Sequence, residues 1–156
     1  MKLYFVRTQG GKLLPQFLQS NIIALGYNEL GDFNKYDNEK VIKSSLLKAY
    51  PNFSEREISN AIGNIFRFVR EIKVGDYVIT FDKLLKCYHV GIVRSKNLYT
   101  DKYIGFSNIR KSLWISNIPK KSLSSQTNYK LGGLTPVYKV NEVAEKEIFK
   151  KLKIRN

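Results

Sequence analysis

Few residues in this chain have the chemistry to react. The single cysteine, Cys87, and the single histidine, His89, stand two positions apart, a spacing that puts both on one face of a strand. A Cys–His pair needs a third group to orient the imidazole, and no matching carboxylate is evident in the sequence. His89 therefore reads as a strand residue and Cys87 as a small packing residue. Glu71-Ile72-Lys73 with Asp76 nearby echoes the D…ExK pattern of metal-dependent nucleases. That site needs an acidic residue on an earlier strand, with its Glu and Lys on one strand face, whereas here the triplet closes a helix and Gly75-Asp76 opens a strand. Gly10-Gly11-Lys12 lacks the remainder of a phosphate-binding loop. The other carboxylates fall as helix caps and solvated faces (Glu39, Glu55, Glu57, Glu142, Glu145, Glu147) or in turns (Asp82, Asp101). The expectation is a chain with no catalytic residue, no metal site and no cofactor.

Binding chemistry is better represented. Lys and Arg number 27 against 13 Asp and Glu, a formal charge of +14 on 156 residues. Between Lys83 and Lys130 ten basic residues are opposed only by Asp101, which concentrates most of the surplus in under a third of the chain. Such a field suits a polyanionic partner, nucleic acid first. Aromatic residues make up 13% of the chain, ten of them Tyr and nine Phe, and their flat rings suit both cores and base stacking. One cysteine excludes a disulfide framework. No apolar run reaches the ~20 residues of a membrane span, and no signal peptide is evident, so the expected setting is cytoplasmic, with no membrane partner. The length fits one domain over 1–156.

The elements that must position these residues are legible in outline. Lys2–Arg7 has a strand pattern ending at a Gln9-Gly10-Gly11 turn. Leu13–Leu18 has helical spacing despite Pro15, and Ile22–Tyr27 reads as a buried strand. A helix through Val41, Leu46 and Tyr50 stops at Pro51. Ser54 and Glu57 form a capping box for a helix whose apolar positions run to Ile72. From Gly75 the period changes to two, predicting strands at 76–81 and 87–93 joined as a hairpin. Further strands are expected at 109–115 and 136–140, a loop at 119–133, and an amphipathic helix at 143–154. The fold class expected is α+β, a small bent β-barrel with helices packed around it.

The ordered set Val6-Arg7-Thr8-Gln9-Gly10-Gly11, Phe17 with Asn21–Asp32 including Tyr27, Ala61–Phe68, Glu71–Ile79, Tyr88–Val93, Arg110–Trp114 and Leu123-Ser124 with Leu131–Val137 resembles the EVE-like members of the PUA-like superfamily. That family is found at the N-terminus of modification-dependent restriction proteins of the McrB and Mrr kind and is distantly related to YTH readers of methylated adenine. The resemblance spans nearly the whole chain. It implies a bent barrel with a cleft that accepts a flipped, usually methylated, base, and a separate nuclease or AAA+ motor domain or subunit as effector. The family usually carries Trp where this chain has Tyr27, which gives a smaller π face.

On that resemblance the base pocket is expected at Tyr27, Asn28 and Asp32, with a second wall drawn from Tyr99, Tyr103 and Phe106. Trp114 is read either as core or as a further wall. Phosphate contacts are expected at Arg7, Arg67, Lys102, Arg110, Lys111, Lys120 and Lys121; for Arg7 and Arg67 a structural ion pair is the alternative. The function expected is recognition of a modified base in DNA for phage defence. An RNA-binding PUA-like module and a regulatory domain for a nucleotide-like ligand remain open beside it.

Overall fold

Four apolar residues, Leu3–Val6, form β1, and every one of them is buried. The computed structural model describes residues 1–154, so the last two positions of the expected 1–156 domain lie outside the described residues. After a glycine turn, α1 (Leu14–Ser20) begins with Pro15 in its first turn, where a missing N–H costs nothing. It buries Phe17 and leads into β2 (Ile22–Leu25).

Two short 3-10 turns at Asn28–Leu30 and Phe33–Lys35 precede α2 (Glu39–Ala49). Helix α3 (Glu55–Phe66) starts at the expected capping box: Ser54 Oγ accepts from Glu57 N, and Glu57 accepts from Ser54 N. The apolar stripe continues to Ile72, but the backbone widens into a π turn over Arg67–Glu71, closed by Ile72 N donating to Arg67 O. Strands β3 (Tyr77–Asp82) and β4 (Cys87–Val93) form the expected hairpin. Then follow a two-residue β5 (Leu98–Tyr99), a long β6 (Asn108–Pro119), α4 (Ser125–Lys130), β7 (Val137–Lys139) and α5 (Glu142–Lys151).

The strands join into one strongly curled sheet, ordered β2-β6-β4-β3-β1-β7, with β5 on β6. Only β1 and β3 run parallel. Because strand side chains alternate between faces, Tyr4, Val6 and Val78 join the larger core under α2 and α3, while Leu3, Phe5, Ile79 and Tyr88 join a second core under α5. The architecture is the expected α+β class, a half-barrel with five helices around it. No helix among the described residues is long and apolar enough to cross a membrane.

Strand β6 runs four residues past the expected end at 115. Its second half is mostly exposed, so the apolar alternation fades, yet pairing with β4 persists through Ile118↔Tyr88 and Pro119↔Cys87. The register shifts between Val90, paired with Ser116, and Gly91, paired with Trp114, so Ile115 is the extra residue of a bulge that bends β6 here. A Cβ on Gly91 would stand 2.9 Å from the Trp114 ring and 3.0 Å from Leu113 O. Only glycine lets that indole lie on the sheet.

Candidate nucleic-acid interface

Tyr27 stands just past the end of β2 with φ +61, a left-handed backbone that a bulky residue rarely adopts. Its ring is half-buried, edge-on to Tyr50 at 6.3 Å between centroids. Its hydroxyl accepts a hydrogen bond from Asn64 Nδ2 at 3.1 Å, and burial pushes the phenol pKa up. Asn64, on α3, is 1% exposed, and its Oδ1 also takes the N–H of Val137. Buried polar groups are retained when paired in this way, so Asn64 locks the Tyr27 turn to both α3 and β7.

The expected pocket residues divide. Asn28 Nδ2 donates to Gly105 O at 2.8 Å, which ties the Tyr27 turn to the loop carrying Tyr103. Tyr103 stacks on the buried Phe106 at 5.2 Å and is itself partly buried. Tyr27, Asn28 and the Tyr103 loop are thus brought together. Asp32 accepts from Asn34 N and caps its own 3-10 turn. Tyr99 lies on β5 opposite Asn108, 52% exposed.

Trp114 packs, partly buried, against the larger core. Its Nε1–H donates to Phe17 O at 2.6 Å, and its ring stacks on Phe17 and covers Gly91. Asn108, at the Tyr27 end of β6, is six positions away, about 20 Å along an extended strand. Of the two expectations for Trp114, core packing is the one the fold adopts.

A residue that sequence reading passed over organises this end of the molecule. Asn108 is fully buried; its Oδ1 accepts from Phe33 N and Asn97 Nδ2, and its Nδ2 donates to Gly31 O. It welds the 28–35 turns to the turn at 94–97 before β5. Nothing in an isolated Ser-Asn-Ile tripeptide signals that role.

The phosphate set also divides. Arg110 is 1% exposed: Nη1 donates to Phe68 O and Ile72 O, and Nε to Ser95 O. Burial lowers its pKa to about 10, with Asp76 opposing. It cannot meet a phosphate; it satisfies the carbonyls that the π turn leaves at the end of α3. Arg110 thus departs from the expectation of a phosphate contact because the strand pleat turns it inward.

Arg7 and Arg67 have no carboxylate partner, since the ion pairs among the described residues are Arg70–Asp37 and His89–Asp82. The ion-pair alternative is therefore excluded within this set. Arg7 Nη1 donates to Gly133 O at 2.8 Å and Arg67 Nη1 to Val137 O at 3.0 Å, each half-buried. Gly133 is held close by necessity, because a Cβ there would lie 2.9 Å from the Tyr138 ring.

Arg7 opens onto a cavity of about 300 Å³ whose floor is Phe5, Phe81 and Tyr88. Lys83 and Lys120 line it as well, and Lys120 Nζ sits 5.4 Å from the Phe81 ring centre. No carboxylate lines it. The 133–137 segment, bonded to Arg7 on one side and to Asn64 and Arg67 on the other, joins this cavity to the Tyr27 turn. Lys102 lies over the Tyr103 ring, 5.8 Å from its centre. Lys121 is exposed beside Lys86 around a neighbouring hollow, and Lys111 is exposed on β6 opposite Ile22.

The acidic and thiol groups with catalytic chemistry have structural partners. Asp76 spends its two carboxylate oxygens on backbone N–H groups, Lys2 and Lys73, closing the turn before β3. Cys87 and His89 do have a carboxylate, contrary to the sequence expectation. Asp82 is the last residue of β3 rather than part of the loop, and it pairs with Cys87 across the hairpin. Burial and the Asp82 charge push the Cys87 thiol up, away from nucleophilic thiolate.

The family model described as a domain of unknown function (DUF8426) matches residues 3–141. No curated protein matches the chain. It is similar to a solved structure titled as the MmI1 YTH domain, at 8% identity and TM-score 0.48, covering 98% of this chain and 96% of that one. It is also similar to protein Atu2648 from Agrobacterium tumefaciens, at 9% identity and TM-score 0.43, covering 100% of this chain and 96% of that one.

Proposed function

The chain belongs to the DUF8426 family, and we propose that it is a DNA-binding specificity module that reads a modified base. The base is extruded from the duplex into the cleft at Tyr27, Asn28 and the Tyr103 loop, while the flanking phosphates lie on Arg7, Lys83 and Lys120. The observation that carries this reading is a cavity lined by three cations over an aromatic floor with no carboxylate, linked to the Tyr27 turn through the 133–137 segment and Asn64. A half-buried guanidinium whose recorded side-chain partner is one carbonyl keeps donors free for an anion.

The energetics are commensurate. Extruding a base costs a few kcal/mol, and stacking on an aromatic ring returns about 1–3 kcal/mol. Burying one methyl group adds on the order of 0.8 kcal/mol. Phosphate contacts supply the remainder and are blind to sequence. In this reading the chain is non-catalytic and directs a nuclease or motor, on another domain or subunit of a cytoplasmic restriction system, to marked DNA.

The test is binding to matched duplexes carrying no modification, 6-methyladenine, 5-methylcytosine or 5-hydroxymethylcytosine, at two salt concentrations. Single-stranded RNA serves as competitor. Salt-sensitive binding with preference for one modified duplex is the expected result. Stronger competition by RNA than by any duplex would move the reading to an RNA-binding module. Absence of salt-sensitive binding would refute both.

A further inference from the structure

The β3–β4 hairpin gathers three metal-ligating side chains that base reading does not use. Asp82, Cys87 and His89 place a carboxylate oxygen, Sγ and a ring nitrogen all within 4.8 Å of one another. His89 Nε2 is 3.1 Å from Asp82 Oδ2 and 3.9 Å from Cys87 Sγ. We propose that these three residues bind a divalent transition-metal ion of the zinc class. The inference rests on hairpin geometry alone and stands or falls separately from the nucleic-acid reading.

Distances decide whether the cluster is close enough. A tetrahedral zinc ion, with bonds of about 2.0 Å to N and O and 2.3 Å to S, holds N and O about 3.3 Å apart and N and S about 3.5 Å apart. The N–O and N–S separations differ from these by a few tenths of an ångström, and the O–S pair, under 4.8 Å apart against about 3.5 Å in such a tetrahedron, closes by rotation of the Asp82 and Cys87 side chains. Register makes this possible: Asp82 lies directly opposite Cys87, and Thr80 opposite His89, so all four side chains share one face of the hairpin.

The carboxylate is also oriented from behind. Asp82 Oδ1 accepts the N–H groups of Leu84 and Leu85, each at 3.0 Å, and this leaves Oδ2 to face the ring. Such outer contacts hold metal ligands in their binding geometry. The neighbouring Thr80 hydroxyl is buried without a hydrogen-bond partner, the kind of group that calls for an explanation in a native fold. A water in the fourth position of the ion, on the Thr80 side, would give it one.

The donor set selects the metal. One thiolate, one imidazole and one carboxylate suit zinc and its first-row neighbours rather than magnesium or calcium, which prefer all-oxygen shells. On binding, the Cys87 thiol proton is released to solvent, and His89 carries its proton on Nδ1 with the Nε2 lone pair on the metal. The bound ion would stiffen the hairpin that presents Lys83 to the basic cavity.

The experiment uses the full chain, stripped with a chelator and kept reduced with a phosphine, titrated with cobalt(II) and then with zinc. Expected is one equivalent of cobalt producing a near-ultraviolet thiolate-to-cobalt band and visible bands of a tetrahedral ion, both erased by zinc. Cys87→Ser removes the thiolate band, and His89→Gln or Asp82→Asn weakens cobalt binding by about tenfold or more. Wild-type protein, folded by circular dichroism, that shows no thiolate band at stoichiometric cobalt would overturn the proposal. So would a band whose affinity is unchanged in folded His89→Gln and Asp82→Asn, because the thiol would then be acting alone.

Discussion

Asn64 Nδ2 donates to the Tyr27 hydroxyl at 3.1 Å while its Oδ1 takes the N–H of Val137. One buried amide from α3 thereby fixes a turn after β2 against the strand that closes the sheet on the opposite side. This bond holds a half-buried aromatic ring in a left-handed backbone, and the 133–137 segment leads from it to a cavity bearing three cations. Strain of that kind persists where surrounding structure over-determines it.

Tyr27→Ala is expected to abolish discrimination between modified and unmodified duplexes while leaving cooperative melting intact, because the ring lies at the margin of the core. Tyr27→Phe keeps the π face and loses only the Asn64 bond, so it should retain most of the discrimination. Paired equilibrium binding and thermal melts check both. Loss of cooperative melting in Tyr27→Ala would return the residue to a packing role.

Charge reversal separates the cavity from the wider surface. Lys120→Glu and Lys83→Glu should weaken modified and unmodified duplexes about equally, and each should lower the slope of log affinity against log salt by about 0.9. Lys111→Glu, on the far side of β6, should leave the slope nearly unchanged. A salt titration of the three variants on one duplex distinguishes them.

Arg110 should prove to be a stability residue. Arg110→Met strands the carbonyls of Phe68, Ile72 and Ser95, and leaving buried acceptors unpaired costs about 3 kcal/mol or more in sum. Denaturant unfolding should show that loss, whereas Lys111→Ala, one residue along, should stay within about 0.5 kcal/mol of wild type.

Asn108→Ala removes three hydrogen bonds at a fully buried position. The expected cost is about 1–3 kcal/mol. The same change should release the 28–35 turns from β6 and from the turn at 94–97, seen as faster amide exchange at Phe33, whose N–H loses its acceptor.

Acid should loosen the contact between α4 and α5. The hydroxyl of Thr127 donates to the Glu147 carboxylate, and despite partial burial that bond, with Ser124, holds its pKa below the usual carboxylate value. A depressed folded pKa contributes stability that is present above the unfolded value, near 4.5, and is lost as pH falls through the folded one. Glu147→Gln should therefore be less stable than wild type at neutral pH, the gap closing as pH falls below 4.5 through the depressed folded pKa. Melting curves across pH 3–7 measure that gap.

Local signals in the sequence determined a good part of this molecule. The Ser54–Glu57 box, Pro51 after α2, the change of period at Gly75 and the uneven lysines all act between near neighbours, so the chain states them directly. They specify the helices, the β3–β4 hairpin, the α+β class and the basic character. Only the tertiary structure decided which cations are free. Arg110 and Lys111 are adjacent, and the strand pleat sends one into the core against the end of α3 and the other to solvent. Register likewise turned Asp82 from a loop residue into the partner of Cys87 and His89, and it carried Trp114 away from Tyr27. Parallel pairing of β1 with β3, across more than seventy residues, lets Arg7, Lys83 and Lys120 share one cavity. Such long-range pairings are chosen by burial summed over the whole sheet, a quantity that no short stretch of the chain contains.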